Sequence, residues 1–170
     1  DELMDLQLML CRARILAERR RTGVAFEVKH ELTTRLRESL PWPLTRDQKR
    51  AIQEITDDMT APERMHRLLM GDVGTGKTVV ALFAMLLALE NDHQAALMAP
   101  TELLAEQHFE TVNRLLEPLD LRAELLIGRL TVADKAARRK QLSSGQARLV
   151  VGTHALLEDS VAFQRLGLVV

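Results

Sequence analysis

The stretch Gly71-Asp72-Val73-Gly74-Thr75-Gly76-Lys77-Thr78, GDVGTGKT, follows the short apolar run Leu68-Leu69-Met70 and precedes a long run of Ala, Leu and Val. Gly71, Gly76, Lys77 and Thr78 satisfy the spacing G-x-x-x-x-G-K-[ST]. Glycines let backbone amides turn inward and ring an anion without side-chain collision. The helix expected to open near Lys77 adds the positive end of its dipole. Gly71, Gly74, Thr75, Gly76, Lys77 and Thr78 are thus read as a cradle for a nucleoside triphosphate. Lys77 would reach the outer phosphates, and the Thr78 hydroxyl would help to hold Mg²⁺. The alternative is a glycine turn that matches by accident, and the flanking strand and helix patterns weigh against it.

Outward from the loop, short apolar runs alternate with helical ones. Strands are expected at Arg67 to Met70, Ala95 to Ala99, Glu124 to Ile127, Leu149 to Gly152 and Leu166 to Val170. Helices are expected near Thr45 onward, then at Lys77 to Glu90, Glu102 to Leu116 and Val132 to Leu142. Thr131 and Asp134 are spaced as a capping box for the last of these. Short, wholly apolar strands separated by helices imply an α/β fold with a mainly parallel sheet covered on both faces. Upstream, residues from Glu2 to about Arg21 show helical spacing of Leu3, Leu6, Leu10 and Cys11, and Gly23 is a plausible stop. A second helical stretch from about Glu27 to Glu38 breaks at Leu40-Pro41-Trp42-Pro43-Leu44, a linker by its backbone chemistry. The boundary is placed there: residues 1–43 as a helical connector and 44–170 as the loop-bearing domain.

Composition narrows the partners. The 170 residues carry a formal net charge of -1, so a polyanion must be met by a local patch rather than by a global field. Between Arg122 and Arg148, the basic residues Arg122, Arg129, Lys135, Arg138, Arg139, Lys140 and Arg148 outnumber Glu124 and Asp134. That tilt suits a polyanion, although a solvated helix face explains any single one of them. The lone Cys11 has no partner for an internal disulfide, which suits a reducing cytoplasm. No signal peptide and no apolar run of bilayer length is found, so no membrane partner is expected. The chain opens on Asp and stops inside an apolar run, and it reads as a piece of a longer protein.

Three further segments bear on chemistry: Leu40-Pro41-Trp42-Pro43-Leu44-Thr45-Arg46-Asp47-Gln48, Ala99-Pro100-Thr101-Glu102-Leu103-Leu104-Ala105-Glu106-Gln107-His108, and Gly152-Thr153-His154-Ala155-Leu156. With GDVGTGKT they resemble the first motor domain of superfamily-two helicases. The wording APTELLAEQH and GTHAL is similar to the RecG type, over nearly the whole chain from about Leu3 to Val170. The resemblance implies a RecA-like P-loop domain, ATP as the nucleotide and DNA as the partner.

Residue by residue, it makes Gln48 the reader of adenine, whose donor and acceptor edge an amide can pair with together. Thr45 and Gln48 are also spaced as a capping box, and both readings can hold. Trp42 stands where the family usually has Phe, either near the base or sealing the linker. Pro100, Thr101 and Glu102 match a DNA-strand motif, and Thr101 is a natural N-cap. Gly152, Thr153 and His154 match the next such motif. Plain caps after strands are the alternative for both.

The resemblance also places an Asp-Glu pair, needed to hold Mg²⁺ and position water, just past Val170. The intact parent is then expected to be a monomeric, ATP-driven translocase on branched DNA, such as stalled forks and Holliday junctions, in recombination and repair. This chain alone is expected to bind ATP weakly and not to hydrolyse it. A transcription-repair coupling factor, with a similar motor, is the nearest alternative. A P-loop ATPase that does not act on nucleic acid is the other.

Overall fold

The computed structural model describes residues 23–170 together with Met4, Asp5, Gln7 and Met9. Those four positions are helical; the rest of the expected amino-terminal helix, including Cys11, lies outside the described residues. Five α-helices follow: α1 (Leu32–Ser39), α2 (Arg46–Thr60), α3 (Lys77–Glu90), α4 (Glu102–Leu116) and α5 (Val132–Ser143). Four strands complete the fold: β1 (Gln94–Met98), β2 (Glu124–Leu126), β3 (Leu149–Gly152) and β4 (Leu166–Val169). Every pairing is parallel, in the order β2-β3-β1-β4.

Strand alternation builds two cores. Ala95 and Leu97 of β1, with Leu149 and Val151 of β3, face α3 and α4. Ala96 and Val150 face the other way, onto Leu142 of α5 and the short 3₁₀ helix His154–Leu157. Helix α3 is the axis of the larger core. From Val79 to Glu90 all but Ala81 are buried, and Leu82, Met85 and Leu86 are wholly so. Each such side chain contributes about 1.5–3 kcal/mol by leaving water. Phe26 and Leu36, from upstream of the double-proline linker, belong to this same core.

Local chemistry sets the helix starts. Thr45 and Gln48 form a complete capping box on α2, with each side chain bonded to the other's backbone amide. Thr131 accepts from the Asp134 amide, but its hydroxyl donates to the Asp134 carboxylate at 2.6 Å, so the acid closes on the hydroxyl rather than on the Thr131 amide.

Two expectations are corrected. The helix predicted from about Glu27 begins only at Leu32. Glu27 spends its backbone on the Asn91 side chain, and His30 takes a left-handed φ of 57°, which no helix continues through. The strand predicted at Arg67 to Met70 does not form: these residues carry no regular secondary structure and pair with no strand among the described residues. A cavity of 860 Å³, lined by residues of this segment and by Leu166 to Val170, separates it from β4, the nearest sheet edge. Leu68 and Met70 are each 81% exposed. Arg67 is tied instead to Asp58 and Glu54 of α2, and its bond to Asp58 raises the guanidinium pKa further.

Candidate nucleotide and nucleic-acid site

Because all four strands run the same way, their carboxyl ends share one edge. Helix α3 precedes β1 and runs back against it, so the helix's amino end lies at that same edge. Open α/β sheets bind ligands there.

The GDVGTGKT loop forms a closed turn at this edge. Gly74 and Gly76 take φ of 82° and 81°, values that side-chain-bearing residues avoid. The Thr75 hydroxyl donates to the Asp72 carbonyl at 2.8 Å. Gly76 is the N-cap of α3 and offers no side-chain acceptor, so the first-turn amides keep their outward N–H groups. Lys77 folds back: its ammonium donates to the Gly71 carbonyl at 2.6 Å and the Asp72 carbonyl at 2.7 Å. A cation held only by neutral carbonyls, beside uncapped amides, is the donor set that a triphosphate tail requires. Thr78 and Lys77 both line the 860 Å³ cavity, where a bound nucleotide's Mg²⁺ could be met by the Thr78 hydroxyl.

Gln48 is brought to this loop. Its Nε2 donates to the Thr75 carbonyl at 2.8 Å while its Oε1 accepts from the Thr45 amide at 2.9 Å. A side-chain amide has two N–H groups and two lone pairs, so one of each remains for a base edge. A Cβ on Gly76 would meet Gln48 Nε2 at 2.5 Å, so a larger residue here, already disfavoured by the left-handed φ, would also push the Gln48 amide off the loop. Trp42 is 50% exposed and does not seal the linker.

The strand ends carry the second group. Pro100 is exposed, and Thr101 caps α4 by accepting from the Leu104 amide at 3.3 Å. Glu102 does something its motif does not announce: Oε1 accepts the Arg129 amide at 3.0 Å. Gly128, next to it, leaves room for that carboxylate, since a Cβ there would stand 2.8 Å from Oε1. The Arg129 side chain pairs with Glu106. Thus Glu102 ties the turn after β2 to the start of α4. Sequence reading had Arg129 only as part of a charge run; its place directly after a strand, beside a glycine, was the available signal.

Gly152 is buried, and a Cβ would collide with the Leu126 carbonyl of β2. Thr153 is 1% exposed, and its hydroxyl has no hydrogen-bond partner among the described residues. In this conformation the hydroxyl faces inward, while His154 beside it is exposed. The basic run is largely committed: Arg138 pairs with Glu124 at 2.7 Å, Arg139 with Glu158, and Arg148 caps the Leu89 carbonyl. Arg122 and Lys140 stand exposed. Among the described residues, no cluster of His, Cys, Asp and Glu is arranged to hold a metal by itself, and no helix is long and apolar enough to cross a membrane.

Comparison with known proteins places the chain in a family. The profile of the DEAD/DEAH box helicase family matches residues 45–170. The ATP-dependent DNA helicase RecG of Synechocystis sp. is 46% identical over the whole chain, which covers 20% of that protein. RecG of Streptococcus pneumoniae is 44% identical over 98% of the chain, which covers 24% of it. A solved structure of RecG bound to a three-way DNA junction superposes with a TM-score of 0.90 at 41% identity, over 99% of this chain and 23% of that one. The chain thus spans about a quarter or less of the proteins it matches. Its RecA-like α/β fold is that of their helicase domain. The chain belongs to the DEAD/DEAH box helicase family, and within it is similar along its whole length to the RecG type.

Proposed function

We propose that this chain is the ATP- and DNA-engaging part of the first motor domain of an ATP-driven helicase that unwinds or remodels branched DNA in recombination and repair. One observation supports this above the rest: the phosphate cradle and three strand ends carrying Thr101, the Gly128–Arg129 turn and His154 lie along a single edge. A nucleotide at one end of that edge and a DNA backbone along it would share the same rigid sheet. The similarity to a RecG solved on a three-way junction favours branched DNA as the substrate.

Mg²⁺-ATP, when bound, would supply a transferable phosphoryl group whose charge the loop must hold. Lys77 would exchange two carbonyls for phosphate oxygens, a stronger charge-assisted contact. Thr78 would meet the metal, and Gln48 would read adenine with its spare N–H and lone pair. Thr101, the Arg129 turn and His154 would contact the DNA backbone without reading sequence. The inward hydroxyl of Thr153, lacking any partner, would gain one if the 152–154 turn rotates on DNA binding. The parent is proposed to act as a cytoplasmic monomer, with the Mg²⁺-holding acids following Val170.

Strand release from a fluorescent three-way junction tests the reading. The intact parent should release strand only with Mg²⁺-ATP, and the Lys77→Ala variant should not. A parent that binds ATP but leaves branched DNA intact, with hydrolysis indifferent to DNA, would overturn it.

A further inference from the structure

At the far end of α3 from the phosphate cradle, a set of bonds joins the helix to the connector. A helix leaves its last four carbonyls without intrahelical donors. Here each has one. Asn91 Nδ2 donates to the Leu87 carbonyl at 2.9 Å, the His93 amide to Ala88 at 3.0 Å, Arg148 to Leu89, and Lys29 Nζ to Glu90 at 2.7 Å. Two of these donors are cationic, which suits the negative end of the dipole.

Three side-chain links then reach the connector. The Asn91 amide pairs with the Glu27 backbone as a strand would, accepting from its N–H at 2.8 Å and donating to its carbonyl at 2.9 Å. Lys29 is the second link. The third is Glu90, only 6% exposed, whose Oε1 accepts from the Thr33 amide at 2.9 Å and the Thr33 hydroxyl at 3.1 Å. Helix α1 has no side-chain cap of its own, so Glu90 caps it from another element.

A buried acid whose second oxygen has no partner among the described residues is costly, and packing alone does not call for one. What the arrangement achieves is a stiff joint. Helix α3 spans 14 residues, about 21 Å. It is buried along nearly its whole length. A movement of its amino end on nucleotide binding would reach its carboxyl end, where the connector is fastened.

We propose that Glu90 and Asn91 are positioning residues that transmit nucleotide-driven motion of the loop helix to the connector, and through it to the region of the parent that the connector carries. The proposal rests on the motor reading above. It differs from that reading in predicting a loss of coupling rather than a loss of hydrolysis.

The test uses the intact parent carrying Asn91→Asp, which keeps the shape and one acceptor but loses both donations, and separately Thr33→Val, with Thr33→Ser as the conservative control. Junctions unwound per ATP hydrolysed should fall about tenfold in Asn91→Asp and Thr33→Val, with DNA-stimulated hydrolysis within about twofold of wild type and Thr33→Ser near wild type. An unchanged ratio, or hydrolysis and unwinding falling in parallel, would overturn the proposal. Hydrogen exchange provides an arm that needs no unwinding. A non-hydrolysable ATP analogue with Mg²⁺ should change protection of the Glu27 and Thr33 amides in wild type and not in Asn91→Asp. Protection that ignores nucleotide in the wild type overturns the joint. A wild type that shows the exchange response but no DNA-dependent hydrolysis would retain the joint and reject the motor reading.

Discussion

Single side chains at the strand-end edge make the sharpest claims. Lys77 is held in this structure by two neutral carbonyls, so a triphosphate would displace weak partners and offer charged ones. Replacing it with Ala removes a charge-assisted contact worth about 1.5–3 kcal/mol, so nucleotide affinity should fall about 10–100-fold by calorimetry. Gln48 is predicted to serve two purposes at once. In Gln48→Ala the capping box of α2 is lost, lowering stability by about 1 kcal/mol in thermal melts. The preference for ATP over GTP should shrink in the same variant, and an unchanged preference would leave Gln48 as a cap only. Glu102 gives a test whose sign decides. If its carboxylate merely faced a DNA phosphate, Glu102→Ala would tighten binding by removing repulsion. Because it holds the Arg129 turn in place, the same change should weaken DNA binding about 3–10-fold, with Glu102→Gln closer to wild type.

Elements show where sequence is informative and where it is silent. Lys77–Glu90 and Glu102–Leu116 are helices with the same bounds that reading predicts, since Gly76 and Thr101 punctuate their starts in plain view. The fate of Arg67 to Met70 was not legible. An apolar run becomes a strand only if a neighbour offers an edge, and that neighbour is set by the rest of the chain. The inward hydroxyl of Thr153 and the grip of Asn91 on Glu27, 64 positions away, are hidden for the same reason. The turn of the loop and the N-cap at Thr101 could be read because each is set by a few adjacent residues. At β3, Gly152 is fixed by the Leu126 carbonyl rather than by flexibility. Gly152→Ala should force β2 and β3 apart and cost about 1–3 kcal/mol, visible as a lowered melting temperature.

For the molecule as a whole, one sheet edge holds the GDVGTGKT loop at one place and the strand ends proposed to meet DNA at others, while the connector is fastened to the opposite end of its central helix. The net charge of -1 over these 170 residues means that DNA would be met on this domain by local contacts rather than by a global field. Affinity of the parent for single-stranded DNA should fall steeply with salt, with a log–log slope of roughly 0.7 per backbone contact, because each contact releases counterions. Residues 1–170 alone should bind Mg²⁺-ATP without hydrolysing it, and hydrolysis that disappears in Lys77→Ala would contradict the placement of the acids after Val170. The most direct measurement is the ATP hydrolysis rate of the intact parent as a function of DNA shape. A three-way junction should raise the rate about tenfold over linear duplex, and a rate that is the same with junction, duplex or no DNA would contradict the account.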